Sequence, residues 1–264
     1  MKKNYLRFSN QLILLLLTFM FFFLQKAHSE ILFEGYYKVT QFKKHIGFLV
    51  IRHELDSKTK HFKTTSYTRL DQNGFDMTES YQAISDAKLA PVSLNYLAAS
   101  DKKNTKTIDV IFKKSKMSGS VIENGKTISI NTAYKPDLFF SSALYYLLLN
   151  KEGLKTGLAR DFDAITEEGP AILHGKIVID SKMVTQGTLQ LLKAKNNFAG
   201  SDYENLITSR GEIISGFTPA TNIETELVKS SAEATAGSKV SSGTLEKIFG
   251  DVPAGKVNIY QPSK

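Results

Sequence analysis

The sequence predicts a mainly β protein: a strongly curved antiparallel sheet, half-barrel or barrel-like, packed around one central apolar helix and preceded by an N-terminal signal peptide. Three observations carry this. Short stretches of period-two alternation recur along the chain, separated by Gly, Asn, Asp and Ser turns, as antiparallel strands require. One segment, residues 137–149 (DLFFSSALYYLLL), breaks that rhythm with an apolar run free of Gly and Pro. The chain opens on a basic, then apolar, then small-residue stretch. A two-sheet sandwich with the helix at one end, or a closed barrel, satisfies the same periodicity.

The opening stretch has the layout of a signal peptide. Lys2, Lys3 and Arg7 supply the positive region, and Leu12 to Leu24 is apolar apart from Thr18. Ala27-His28-Ser29 places small residues for cleavage after Ser29. The apolar run is shorter than the roughly 20 residues a membrane span needs. The expected organisation is a signal peptide over 1–29, a β-rich domain over 30–228 and a Ser/Ala/Gly-rich tail over 229–264. The mature chain is expected in the periplasm or secreted, with no transmembrane span after cleavage. The chain has no Cys. Disulfides and a lipid-modified N-terminal Cys are therefore excluded, and stability must come from the core. Removing Lys2, Lys3, Arg7 and Lys26 reduces the formal charge of +8 to +4. So small an excess gives no reason to expect a nucleic-acid partner.

The β-rich domain opens with Ile31, Phe33, Tyr37 and Val39 alternating with Glu34, Tyr36 and Lys38. Ile46 to Ile51 is apolar on both faces, as in a strand covered on both sides. Asp56 to Thr59 turns the chain into a Thr- and Tyr-rich strand over 61–70. Asn73-Gly74 tolerates positive φ in a tight turn. Strands follow over 75–84, 91–98, 107–112 and 117–122, and Asn124-Gly125 marks the clearest hairpin. Beyond the helix, strands are expected over 158–165, 171–180, 187–194, 203–208, 212–217 and 222–228, with a loop over 196–202.

The helix prediction rests on Pro136 before it, Asp137 as N-cap, good helix formers within it, and Gly153 as a stop. At about 1.5 Å per residue it is roughly 20 Å long. Placed at 100° steps, Phe139, Phe140, Ala143, Leu144, Leu147 and Leu148 share one half of the circumference, and Ser141, Ser142, Tyr145 and Tyr146 lie on the other. Burying the Phe/Leu half stabilises by roughly 10 kcal/mol gross. Leu144→Asp should lower the melting temperature sharply, whereas Tyr145→Phe should be silent. Ser141, Ser142, Tyr145 and Tyr146 form the expected ligand or partner face. In the tail, residues 229–243 have the composition of a linker or disordered segment, and 244–250 fits one or two helical turns.

Several of these segments together resemble a family of exported bacterial proteins known as a domain of unknown function. They are YYKV and IGFLV, LAPVSLNY followed by TIDVIF, DLFFSSALYYLLL with GLKTG, then GKIVID, QGTLQLLKA, SRGEIIS and ATNIETELV. The resemblance runs from Gly35 to Val228 and leaves out the tail. It implies an exported protein with a curved antiparallel sheet, and it implies no catalytic residues. The architecture is more distantly similar to the lipoprotein carriers of the periplasm, and fold does not fix function.

Chemical motifs are sparse. His53, His61 and Glu54 flank one predicted turn but form no compact ligand set. No nucleophile elbow, Walker A loop or dinucleotide fingerprint occurs. Asp161/Asp163 and Glu167/Glu168 are carboxylate pairs that a half-exposed strand and a turn explain. Catalytic, cofactor and metal residues are therefore expected to be none. Tyr36, Tyr37, Tyr67, Tyr81, Tyr96, Tyr145 and Tyr146 suit either a core or an amphipathic cavity. The expected role is a non-enzymatic envelope protein binding a lipid or hydrophobic peptide in the curved sheet. A structural or assembly module acting through the sheet edge or tail is the alternative, and a hydrolase is third.

Overall fold

The computed structural model describes residues 29–100, 104–255 and 257–258. The predicted signal peptide lies outside the described residues except for Ser29, which starts the first strand.

Eight strands form an antiparallel meander: β1 (Ser29–Gln41), β2 (Lys44–Asp56), β3 (Phe62–Leu70), β4 (Met77–Ser85), β5 (Pro91–Ser100), β6 (Asn104–Lys113), β7 (Lys116–Glu123) and β8 (Lys126–Ala133). Asn124-Gly125 does make a two-residue hairpin, with φ of 50° and 79°. Phe42-Lys43 and Lys114-Ser115 make the same turn without glycine, again with both φ positive. This is the turn whose twist matches that of the strands.

The chain then crosses the molecule. It continues through β9 (Phe139–Phe140), β10 (Ala159–Ile165), β11 (Ile172–Ile179), β12 (Val184–Gln186), β13 (Leu189–Phe198), β14 (Ser201–Ile207), β15 (Ile213–Thr218) and β16 (Ile223–Leu227). β16 returns to the free edge of β1, from Tyr37↔Leu227 to Gln41↔Ile223. A last short strand, β17 (Val257–Asn258), pairs with β1 further along, at Phe33 and Glu34. The pairings give one sheet in the order β8-β7-β6-β5-β4-β3-β2-β1-β16-β15-β14-β13-β11-β10-β9. β12 pairs beside β13, and β9 with β10 is the one parallel contact among the described residues. The sheet curls until Phe140 and Ile165 pack on Leu94, Val110 and Phe112 of the opposite wall. No ladder joins β8 to β9 among the described residues, so the curl stays open.

The helix differs from its predicted bounds of 137–149. Asp137 has φ of 78° and caps nothing. Phe139 and Phe140 are extended and pair with Ala164 and Ile165. A 3-10 turn over Ser141–Ala143 leads into α1 (Leu144–Lys151). The cause is the pair of phenylalanines. Both are buried, Phe140 in the cluster of β4–β7 and Phe139 in the cluster of β10–β14. Adjacent residues reach opposite sides of a strand, whereas on a helix they are only 100° apart. α1 then fills the curl. Leu144, Tyr145 and Leu148 lie on Ile179, Leu192 and Ile207, while Ala143 and Tyr146 meet Leu32, Phe62 and Leu89. The helix is thus buried on its tyrosine side as well as its leucine side. No helix among the described residues is long and apolar enough to cross a membrane.

The helical turns expected over 244–250 are present in the tail, and a further short helix lies within the stretch expected to be a linker. The tail folds into α2 (Ser231–Ala234) and α3 (Ser242–Phe249), each with a serine N-cap accepting a backbone N–H. Ala234, Leu245 and Phe249 are buried against Tyr36, Phe48, Val50 and Tyr67 on the outer face of β1–β3. That cover explains why β2 is apolar on both faces. A buried ion pair fastens the end of the tail. Arg52 and Glu34, 3% and 1% exposed in their side chains, are paired on neighbouring strands. Arg52 also binds Asp251 at 2.6 Å and the Phe249 carbonyl at 3.2 Å, and Glu34 accepts the Gly255 N–H at 2.7 Å. Removing one member of such a pair strands the other charge in the core. Arg52→Ala should therefore destabilise by about 3–5 kcal/mol in urea unfolding. The double variant Arg52→Met/Glu34→Gln should recover part of that loss.

Candidate functional site

The inside of the curl is not completely filled. A cavity of about 400 Å³ lies beside the start of α1. β1 and β2 contribute Phe33, Tyr37, Ile51 and His53, and β4 contributes Tyr81. Phe162, Asn196, Phe198, Tyr203, Asn205 and Ile213 come from the second half of the sheet. The helix contributes Ser141, Ser142, Leu144, Tyr145 and Tyr146, so all four residues of the predicted ligand face border this space.

Several polar groups on the wall have defined partners, whereas Ser142 Oγ is buried without one among the described residues. The Tyr145 hydroxyl oxygen accepts from the Asn196 amide at 2.9 Å and the Asn205 amide at 2.7 Å. Asn196 is 8% exposed, and its Oδ1 has no partner among the described residues. The His53 ring is enclosed by Phe62 and Tyr146, with ring centroids 5.5 and 4.8 Å away. Burial lowers its pKa to about 3, so it stays neutral; its Nδ1 meets the Thr64 hydroxyl at 3.0 Å. Tyr37 donates to the Ile213 carbonyl at 2.8 Å, and burial raises its pKa well above the ordinary value.

The helix start is held by a carboxylate far away in sequence. Glu167, 2% exposed, accepts the Ser142 N–H at 3.0 Å and the Ser141 hydroxyl at 2.5 Å. This is the bond that Asp137 was expected to make, since exposed N–H groups at a helix start favour a carboxylate. Burial and the neighbouring Glu168 push Glu167 up to about 7. Burial and Glu168 do the same to Glu79, whose Oε2 accepts from Tyr96 at 3.2 Å. Glu168 itself lines the cavity.

The other sequence candidates are dispersed. His53 faces inward, whereas the adjacent Glu54 pairs with Lys63 at 2.6 Å and Ser29 at 3.1 Å. His61 lies just before β3. Among the described residues no group of three His, Asp or Glu is placed to hold a metal ion. Asp161 and Asp163 share an exposed strand face, where Asp163 meets His174 at 3.0 Å. Of the seven tyrosines singled out, Tyr36 and Tyr67 face the tail and Tyr96 packs among β4–β7. Sequence reasoning missed Asn196 by reading 196–202 as a loop. The alternation Leu192, Ala194, Asn196 in fact continues along β13 to Phe198. Gly175 lets the Phe162 and Phe198 rings close over the strand, since a Cβ would sit 2.6 Å from the first and 2.8 Å from the second and would make them shift.

Solved structures share this shape in part. One is a β-barrel-like protein of the domain of unknown function DUF1849 from Brucella abortus, with a TM-score of 0.49 and 13% identity over 76% of this chain and 98% of that one. Another is a DUF1089 family protein from Pseudomonas aeruginosa, with a TM-score of 0.35 and 11% identity over 61% and 84%. No family model and no curated protein matches the chain.

The hydrogen bonds revise the expectation for Tyr145→Phe. The change removes the shared acceptor of two amides inside the fold. It should cost about 1–3 kcal/mol in denaturant unfolding. Glu167 makes a pH prediction. A carboxyl whose folded pKa of about 7 exceeds its unfolded value of 4.5 binds its proton more tightly in the folded state. It thus favours folding below the unfolded value and loses that contribution as pH rises towards 7. Glu167→Gln keeps an acceptor for Ser142 and a donor for Ser141. Melting temperatures across that range should fall less with rising pH in the variant than in the parent.

Proposed function

We propose that this chain is a non-enzymatic, exported envelope protein that holds a small hydrophobic molecule with a polar end inside its curled sheet. The cavity beside α1 carries the reading. Its volume of about 400 Å³ lies within the range of roughly 300–1,000 Å³ usual for ligand sites. Its composition also fits: aromatic and aliphatic walls with a few polar groups set among them. An alkyl chain would lie on Phe33, Ile51, Phe162 and Phe198, and its polar end would meet the Tyr145, Asn196 and Ser142 group. Export is supported by the basic and apolar segment ahead of Ser29.

The assembly reading has one observation in its favour. β8 is mostly exposed, and its outer edge has no strand partner among the described residues. Such an edge can accept a strand from another chain. Within the tail, Ala234, Leu245 and Phe249 are buried against its own sheet.

A neutral dye whose fluorescence rises in apolar surroundings, N-phenyl-1-naphthylamine, tests the cavity. The parent chain should bind it saturably. Ile51→Trp places an indole into the cavity from β2 and should weaken binding about tenfold or more, with a cooperative melt retained. Equal binding by the two proteins would place the dye elsewhere and remove the reading.

A further inference from the structure

The cavity wall has a definite electrostatic character. Two acidic side chains, Glu168 and Glu212, border it, and among the described residues no Lys or Arg does. Glu79 and Glu167 are further acidic groups that interact with Glu168, each held above the ordinary carboxyl range by burial first and by Glu168 second. Lys106, a cation that acts on Glu79, lies on β6 and is not part of the cavity lining. The buried cation nearby in sequence, Arg52, points to the other face of the sheet and is engaged by Glu34 and Asp251. His53, the histidine on the wall, stays neutral.

Two buried polar atoms of the wall lack partners among the described residues: Ser142 Oγ, a hydroxyl that can donate or accept, and Asn196 Oδ1, which can only accept. Asn196 spends its Nδ2 on Tyr145, which leaves Oδ1 as a buried acceptor without a donor. An acceptor buried in this way costs free energy until a donor reaches it. A carboxylate could accept from Ser142 but has no proton for Asn196 Oδ1, and it would enter beside Glu168 and Glu212 with no lining cation to offset its charge. A hydroxyl or an ammonium supplies the donor, and an ammonium also gains from Glu168.

Resting on the reading of the cavity as a binding site, we propose that it selects amphiphiles whose polar end is a neutral donor or a cation, such as an alcohol or an amine, and discriminates against fatty-acid anions.

Displacement of bound N-phenyl-1-naphthylamine by decanol, decylamine and decanoate separates the possibilities, at a mildly alkaline pH where decanoate is ionised. Decanol and decylamine should displace the dye, and decanoate should need about tenfold more or worse. In Asn196→Leu, decanol and decylamine should lose most of their advantage over decanoate, each displacement being referred to the dye affinity measured for the same variant. Glu168→Gln should narrow the gap by improving decanoate. Decanoate displacing the dye as well as decanol would overturn the selection while leaving the cavity reading intact. A parent protein that fails to bind the dye at all would remove both.

Discussion

Strand β1 is hydrogen-bonded along both edges. On one side it pairs with β2 for its whole length, and on the other with β16 at 37–41 and with β17 at 33–34. This double pairing joins the N-terminal meander to the strands that follow the helix. Without it the chain would be two separate sheets, each with an exposed inner face. With it the right-handed twist of a long sheet has a single body to act on, and the sheet curls round α1. The outer face of the same region, β1–β3, is where the tail docks. One strand therefore organises three layers: tail, sheet and helix.

The two faces are closed by different chemistry. Outside, Phe249 and Leu245 cover an apolar patch, and the Glu34–Arg52 pair fixes where the chain ends up. An ion pair in such a place adds little net stability over an apolar alternative but is costly to break. Inside, close packing holds where α1 meets β11, β13 and β14, and lapses beside the helix start. There the lining switches from Ile and Leu to Tyr, Asn, Ser and Glu. Glu167 holds the helix start while bearing a buried carboxyl that its neighbour Glu168 makes harder to ionise. An arrangement of that kind is less stable than an apolar core would be, and it leaves hydrogen-bonding groups turned towards open space. That loss of stability accompanies a cavity that close packing would have removed.

Much of the sheet was legible in the sequence because strand alternation and turn chemistry are local. The Asn124-Gly125 hairpin and the order of strands from β1 to β8 follow from residues close together in the chain. The doubly apolar Ile46–Ile51 stretch even signalled cover on both faces, although not what provides it. The misses came from distant partners. Phe139 and Phe140 have a helix-like context, and only the two walls they fill force them to be extended. Asp137 looked like a cap because Glu167 is thirty residues away in the chain. In the tail the helical turns over 244–250 were legible, whereas the short helix Ser231–Ala234 was not, because Ala234 is buried only against the distant outer face of β1–β3. Asn196 looked like loop chemistry, yet it sits in a strand where its amide meets Tyr145. The residues 141, 142, 145 and 146 were picked from helical phase alone, and they border the cavity despite the shorter helix. The 3-10 turn and α1 keep them on a common side.

The central claim is that the space beside Tyr145 and Asn196 is open in the folded protein and accepts an alkyl chain with a donor end. A crystal structure of the protein soaked with a bromine-tagged alkanol tests this most directly. The account predicts an anomalous bromine peak among Phe33, Ile51 and Phe162, with the hydroxyl within hydrogen-bonding reach of Asn196 Oδ1. Continuous side-chain density across that space, with no bromine peak inside the sheet, would contradict it.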